Sequence, residues 1–174
     1  MPLSGNLLCF FICYATAFAA FGLAGNWYLW PAIKDRPPKV ALTPLLLYAC
    51  LRVNGLMFLM PGLVSENLPK PFAVPTAYGD LGAACLAFLA VWGLRSGSIL
   101  ALPMVWLFNT EGMLDLIYAN ISTFKDHVDP TYLGVSHYLA PLNVPAMMMV
   151  HVLIFVYLLT RRHRTLNTPN AEVS

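Results

Sequence analysis

The chain has 174 residues, of which 59% are hydrophobic and only 10% are charged. Soluble domains carry roughly a quarter of charged residues, so this composition excludes an ordinary soluble domain and indicates an integral membrane protein. The formal net charge of +2 is too small to favour a nucleic-acid partner. Spans of about 20 residues leave little room for a soluble domain, which predicts a single transmembrane bundle over residues 1–174.

Five apolar segments follow one another along the chain and predict an all-α bundle of about five transmembrane helices. They cover about residues 6–30, 41–64, 78–94, 99–120 and 144–160. The first is long and has no Lys or Arg before it, which favours a retained anchor over a cleaved signal peptide. Pro69, Pro71 and Pro75 are predicted to mark helix ends, because proline lacks the backbone donor.

The basic residues divide unevenly between the links that join these segments. Only Lys70 and Lys125 fall on one side. The other side carries Lys34, Arg36, Lys39, Arg95, Arg161, Arg162 and Arg164. Because cytoplasmic loops are enriched in Lys and Arg, this predicts an N-terminus outside and a C-terminus in the cytoplasm.

Two charged residues lie near the middle of apolar segments. Arg52 is about halfway through the second segment, and Glu111 is slightly past halfway through the fourth. A charge at the bilayer centre costs at least about 2.5 kcal/mol, so each should face the bundle interior and find a partner. The sequence therefore predicts an ion pair between Arg52 and Glu111. Gly55 shares the Arg52 face and would let another helix approach closely.

Further polar residues extend this candidate site. Glu111 and Asp115 are four apart and share one helix face, so one of them is expected to be protonated or paired. Asp80 should lie at the depth of Asp115, although a helix N-cap would explain it equally well. Asn109 points away from the Glu111 face and is expected to form a hydrogen bond between helices.

The fifth segment adds His151 near mid-depth. Pro141 and Pro145 are predicted to interrupt the helix and to leave His137 and Asn143 at an outer mouth. Irregular backbone at membrane depth is tolerated where it lines a cavity. The sequence thus predicts an outward-opening polar pocket, whose ligand-binding residues are Arg52, Asp80, Asn109, Glu111, Asp115, His137, Asn143 and His151.

No cofactor and no metal are predicted for this pocket. His137 and His151 are spaced as in membrane cytochromes b, but the only other histidines, His127 and His163, lie in links on opposite sides, so a two-haem site fails. Carboxylates and a histidine suit several metals, yet no ligand motif fixes one.

The four cysteines all fall inside apolar segments, at positions 9, 13, 50 and 85. The sequence has no CxxC motif and no Cys/His spacing suited to a structural zinc site. We expect these residues to be small core hydrophobes.

Four stretches in order, PGLV, FAVPTAYGDL, WLFNTEGMLDLIYA and HYLAPLNVPAMMMVH, resemble a family of small multi-pass bacterial membrane proteins usually labelled uncharacterised. The resemblance covers the second to fifth segments. The matching residues are Asp80, Asn109, Gly112, Asp115, Pro141, Pro145 and His151. Arg52 and Glu111 have no assigned place in the pattern. The resemblance implies a bacterial inner-membrane protein and supplies no activity.

Three functions are compatible with these residues. The favoured one binds or moves a small hydrophobic or protonatable ligand, since intramembrane ionisable residues usually mark such a site. The second is a lipid or isoprenoid enzyme with Glu111 and His151 as acid and base. The third is a non-catalytic interaction or assembly subunit. The expected partners are membrane lipids and a small hydrophobic ligand, with a second copy or a partner membrane protein as the alternative.

Overall fold

The structure is a computed structural model that describes residues 5–134 and 136–167. Five long helical rods and short connections make up these residues, with no β-strand among them, so the predicted all-α class is confirmed. The rods are α1 (Gly5–Ile33), α2 (Pro38–Leu59), α3 (Lys70–Ser96), α4 (Ala101–Lys125) and α5 (Ser136–Asn167). A π-helical turn, Gly25–Leu29, interrupts α1, and the second part of α2, Cys50–Leu59, is a 3₁₀-helix.

Four of these rods are long and apolar enough to cross a membrane: Gly5–Ile33, Pro38–Leu59, Lys70–Ser96 and Ser136–Arg161. The remaining rod, α4, has 25 residues and is long enough. Its mean hydropathy is lower because it contains Asn109, Glu111 and Asp115. Four of the five predicted spans are thus confirmed as helices able to cross a membrane, and the other is a helix of comparable length.

The core lies between α2, α3, α4 and α5. Small residues on α3 allow the helices to pack closely, and Ala83, Ala87 and Ala90 are completely buried. Phe108 of α4 and Ile154 of α5 fill the space opposite them. The first helix is the least buried of the four candidate spans and packs on α5.

The prolines behave differently from the prediction in α3 and α5. Pro69 is the N-cap of α3 and Pro71 lies in its first turn, as predicted for a helix end. Pro75, Pro141 and Pro145 instead lie inside continuous helices, so the predicted breaks there are wrong. The fixed φ of proline is compatible with a helix, and surrounding groups in a bundle can compensate for its missing donor.

Three of the four cysteines differ from the expectation of a core position. Cys50 is buried, and its Sγ donates to the carbonyl of Leu46. Cys9, Cys13 and Cys85 are exposed on the outer faces of α1 and α3. An apolar segment predicts burial from water, and in a membrane bundle the lipid-facing side meets that condition as well as the core does.

The two links at the end of the bundle opposite the basic residues pack against each other. The backbone N–H of Ser65 donates to the carbonyl of Tyr132 over 2.9 Å. In the same region, Asp129 accepts hydrogen bonds from the backbone N–H and the hydroxyl of Thr131, and these lower the pKa of the Asp129 carboxyl below its usual value. These contacts close the bundle where α5 begins.

Candidate functional site

The 3₁₀ part of α2 turns one row of residues towards α3. A 3₁₀-helix has three residues per turn, so Arg52, Gly55 and Phe58 are aligned on one face. The rings of Phe58 and Phe72 lie 5.7 Å apart. A Cβ atom at Gly55 would lie only 2.5 Å from the Cβ of Asp80, so glycine is needed for Asp80 to reach its place beside Arg52.

Arg52 is the centre of the site and is only 1% exposed. Its Nε donates to Oδ1 of Asp80 on α3 over 2.7 Å, and its Nη2 donates to the carboxylate of Asp115 on α4. Its Nη1 donates to the backbone carbonyl of Gly112 over 2.8 Å. These contacts form a buried ion-pair network that joins α2, α3 and α4.

His151 of α5 completes this network. Its Nε2 lies 3.3 Å from Nη1 of Arg52, and its Nδ1 lies 2.8 Å from Oδ1 of Asn109. The guanidinium has only donors, so Nε2 must accept, and the ring proton is assigned to Nδ1, which donates to Asn109. The Asn109 side-chain amide donates to the carbonyl of His151 over 3.1 Å. This arrangement is the interhelical hydrogen bond predicted for Asn109.

Glu111 and Asp115 reach the outer edge of this network, on the surface of α4. An open groove of about 470 Å³ lies there. Its lining consists of Leu107, Thr110, Glu111, Leu114, Asp115 and Tyr118. Oε2 of Glu111 is buried and has no hydrogen-bond partner among the described residues. The groove is therefore apolar with two carboxylates, one of which is bound to Arg52.

The predicted ion pair between Arg52 and Glu111 is wrong. The two carboxylates that contact the guanidinium belong to Asp80 and Asp115. Glu111 and Asp115 share a helix face one turn apart, and the structure brings the latter to Arg52. The alternative of Asp80 as a helix N-cap is also wrong, because α3 begins at Lys70 and places Asp80 well inside the helix.

His137 and Asn143 do not join the cluster. Nδ1 of His137 lies 3.0 Å from the carbonyl of Pro130, and its ring lies 5.7 Å from that of Phe10. Asn143 is half-buried and forms no hydrogen bond to the cluster among the described residues. Because α5 is continuous through both of its prolines, the broken mouth that would have placed these residues in the pocket does not exist.

The other six predicted site residues lie in one region: Arg52, Asp80, Asn109, Glu111, Asp115 and His151. That they bind a ligand stays a prediction. Among residues 5–134 and 136–167, no group of three or more His, Cys, Asp or Glu side chains is arranged to hold a metal ion.

Sequence reasoning missed several residues of the site. The apolar groove wall formed by Leu107, Leu114 and Tyr118 could have been found, since these residues recur at helical spacing around Glu111. The role of the Gly112 carbonyl as an acceptor for Arg52 has no signal in the side-chain pattern. Thr76 is one turn before Asp80 on the same face, and its buried hydroxyl has no partner among the described residues.

Comparison with protein families finds a match. The sequence profile of a family described as a domain of unknown function (DUF8737) matches residues 9–159, a range that includes every residue of the Arg52 network. Neither the curated proteins nor the solved structures contain a match to this chain.

Replacing Arg52 with Met should destabilise the protein strongly. The substitution leaves Asp80 and Asp115 buried without a counter-charge, and breaking a buried ion pair in this way costs about 3 to 5 kcal/mol. Thermal and denaturant unfolding of the purified protein, followed by circular dichroism, measures the loss.

Two further variants make this test specific. Arg95→Met removes the same charge at an exposed helix end and should change the free energy of unfolding by less than about 0.5 kcal/mol. The triple variant Arg52→Met, Asp80→Asn, Asp115→Asn should recover part of the lost stability, because no net charge remains at these three positions. Equal stability of the Arg52→Met protein and the wild type would contradict the central role of this residue.

Replacing Gly112 with Ala should also disturb the network. The added Cβ would lie 2.6 Å from Cε1 of His151 and 2.7 Å from Nη1 of Arg52, so one of these side chains must move. Overpacking of this kind costs about 1 to 3 kcal/mol. The matched control is Gly82→Ala, where the nearest atom lies 3.9 Å away, and its melting temperature should be equal or higher. Identical melting of the two variants would refute the close packing at Gly112.

Proposed function

The chain belongs to the DUF8737 family, a domain of unknown function, and we propose that it is a multi-pass protein of the bacterial inner membrane. Its function in this proposal is to bind or move a small hydrophobic, protonatable ligand. The ligand occupies the groove on α4. The observation that carries the proposal is the presence of two carboxylates in an apolar groove on the outer face of a span.

Membrane embedding is supported by the outer faces of the helices. Large apolar side chains are exposed on all five rods, which in water would be unfavourable. On α4 the exposed set is Leu102, Leu107, Leu114, Ile117, Tyr118, Ile121 and Phe124. The polar residue Asn109 and the small residue Gly112 are buried on the opposite side. Since α4 connects the two span-capable helices α3 and α5 end to end, it also crosses in this proposal.

Orientation follows from the basic end of the bundle. Nζ of Lys39 donates to the carbonyl of Arg95 over 3.2 Å, which places the start of α2 beside the end of α3. The hydroxyl of Tyr157 donates to the carbonyl of Arg36, and Nη1 of Arg161 donates to that hydroxyl. Four basic positions are thus at one end, and the side chains of residues 162 and 164 lie outside the described part. We assign this end to the cytoplasm, with the N-terminus outside.

Cysteine labelling tests this orientation. In a background without the four native cysteines, Glu66→Cys in the link between α2 and α3 should react with a membrane-impermeant maleimide in intact bacterial cells. Ser98→Cys, in the link between α3 and α4, should react only after the cells are permeabilised. The reverse labelling pattern would overturn the orientation, and labelling of both without permeabilisation would contradict the crossing of α3.

The size of the groove suits a small molecule. Its volume of about 470 Å³ lies in the usual range of small-ligand sites. One of its carboxylates, that of Asp115, is fixed by Arg52, so part of the site is already ordered before a ligand enters. The walls of Leu107, Leu114 and Tyr118 suit an apolar body.

The alternative of an enzyme with Glu111 and His151 as the acid–base pair has less support. His151 is completely buried, and both of its ring nitrogens are within hydrogen-bond distance of protein groups. A group in this state holds helices together and does not face the groove. An interaction subunit would instead place another membrane protein on the exposed face of α4, and the following experiment distinguishes that outcome.

Native mass spectrometry of the gently extracted protein should detect a retained small molecule. Leu114→Trp fills the groove and should abolish retention, whereas Leu102→Trp changes an exposed leucine on the same helix outside the groove and should retain it. Retention that is equal in both variants would exclude the groove as the site. Detection of a bound protein in place of a small molecule would support the function as an interaction subunit and overturn the proposal.

A further inference from the structure

The charges around Arg52 do not balance. Asp80 and Asp115 are paired with this residue, and Glu111 is a third carboxylate, which lines the groove together with Asp115. All three guanidinium nitrogens already donate hydrogen bonds, to Asp80, to Asp115 and to the Gly112 carbonyl. His151 contributes no positive charge, because its Nε2 accepts from Arg52. One cation therefore stands against three carboxylates in this cluster.

Within the part of the chain that the structure describes, no other basic residue lies beside Glu111. Every other Lys and Arg lies in a link or near a helix end. Along α4, Glu111 is about 15 Å from Ala101 and about 21 Å from Lys125, given a rise of 1.5 Å per residue. A carboxylate at this depth needs either a proton or a counter-ion. Since no second cation lies beside it among the described residues, a counter-ion for Glu111 would come from outside the chain.

The groove admits that counter-ion from the side. All of its lining residues belong to the outward face of α4, so a molecule dissolved in the hydrocarbon reaches Glu111 without crossing the bundle. The headgroups of phospholipids lie at the bilayer surfaces, about 15 Å from the centre of a hydrocarbon core about 30 Å thick. Glu111 is too deep for a lipid headgroup, which favours a free hydrophobic molecule.

We propose that the ligand of the groove is a lipophilic amine, whose ammonium group donates a hydrogen bond to the Glu111 carboxylate while its apolar part lies along Leu107, Leu114 and Tyr118. This inference rests on the proposed function and adds the chemical class of the ligand. Glu111 lines the groove, and its carboxylate is the acceptor. Its Oε2 is buried in this structure and has no hydrogen-bond partner among the described residues, so the carboxylate turns towards the groove when the ammonium binds. The ring of Tyr118 in the groove wall supplies a further attraction for a cation.

Other ligand classes fit less well. A carboxylic acid or a phosphate would meet the negative charge of Glu111 and Asp115 and be repelled. A neutral alcohol can donate one hydrogen bond but leaves the charge of Glu111 unmatched. An alcohol that donates to the Glu111 carboxylate also forms a charge-assisted hydrogen bond. Only the ammonium adds an attraction between opposite charges, which is strong in a medium of low dielectric constant, so the site discriminates in favour of the amine.

The test uses the purified full chain in phosphatidylcholine nanodiscs with radiolabelled dodecylamine as the probe. Dodecanol, which has the same chain, is the neutral comparison. Wild-type protein should bind dodecylamine saturably, and binding should weaken about tenfold or more in Glu111→Gln, which keeps the size of the side chain and removes its charge. Glu66→Gln removes the same charge from an exposed link and should bind as the wild type does.

The comparison with dodecanol separates the two proposals. Tighter binding of the amine, lost in Glu111→Gln and in Leu114→Trp, supports both. Equal binding of dodecanol and dodecylamine, lost in Leu114→Trp but not in Glu111→Gln, overturns the amine assignment and leaves the ligand site standing. Binding that is unchanged in both variants overturns the amine assignment, because the probe then binds elsewhere. No probe binding, together with no retained molecule in the native protein, overturns both proposals. Wild-type melting of Glu111→Gln shows that the variant is folded.

Discussion

The buried guanidinium of Arg52 is the constraint around which the bundle is organised. An unpaired charge in this environment would cost several kcal/mol, so its donors must all be directed at acceptors. The acceptors come from α3, α4 and α5: the carboxylates of Asp80 and Asp115, the carbonyl of Gly112 and Nε2 of His151. One side chain of α2 therefore sets the register of three other helices.

The glycines of the bundle follow from this constraint. Each of Gly55, Gly79 and Gly112 lies opposite a member of the network, and a Cβ at any of them would collide with it. Gly79 admits the Asp115 carboxylate, and Gly112 leaves space for Arg52 and for the ring of the histidine. Close backbone approach at these three positions allows polar side chains to meet directly, so the glycines serve the network more than they serve flexibility.

The helical class, the five helical segments and the meeting of six of the eight candidate residues in one region could be predicted, because hydropathy and helical spacing are local properties. The partner of Arg52 could not, since counting depth along a helix is uncertain by about one turn, which is the separation between Glu111 and Asp115. Pro141 and Pro145 misled for a different reason: packing in the bundle overrides a local rule about helix breaking. His137 was predicted at a pocket mouth because of that error. In the continuous α5 its ring lies at the carbonyl of Pro130 instead.

The two faces of α4 differ in whether their polar groups have hydrogen-bond partners, and Asp115 takes part in both faces. On the inner face the polar groups are satisfied, since Asn109 and the Gly112 carbonyl are both hydrogen-bonded across the bundle. On the other side Glu111 lines an open apolar groove, and its buried Oε2 has no hydrogen-bond partner among the described residues. Asp115 lines that groove and also accepts from Arg52. A change in the charge of Asp115 would therefore remove one of the two ion pairs of Arg52. Binding of a proton or a cation to Asp115 in the groove would in this way weaken the network that joins four helices.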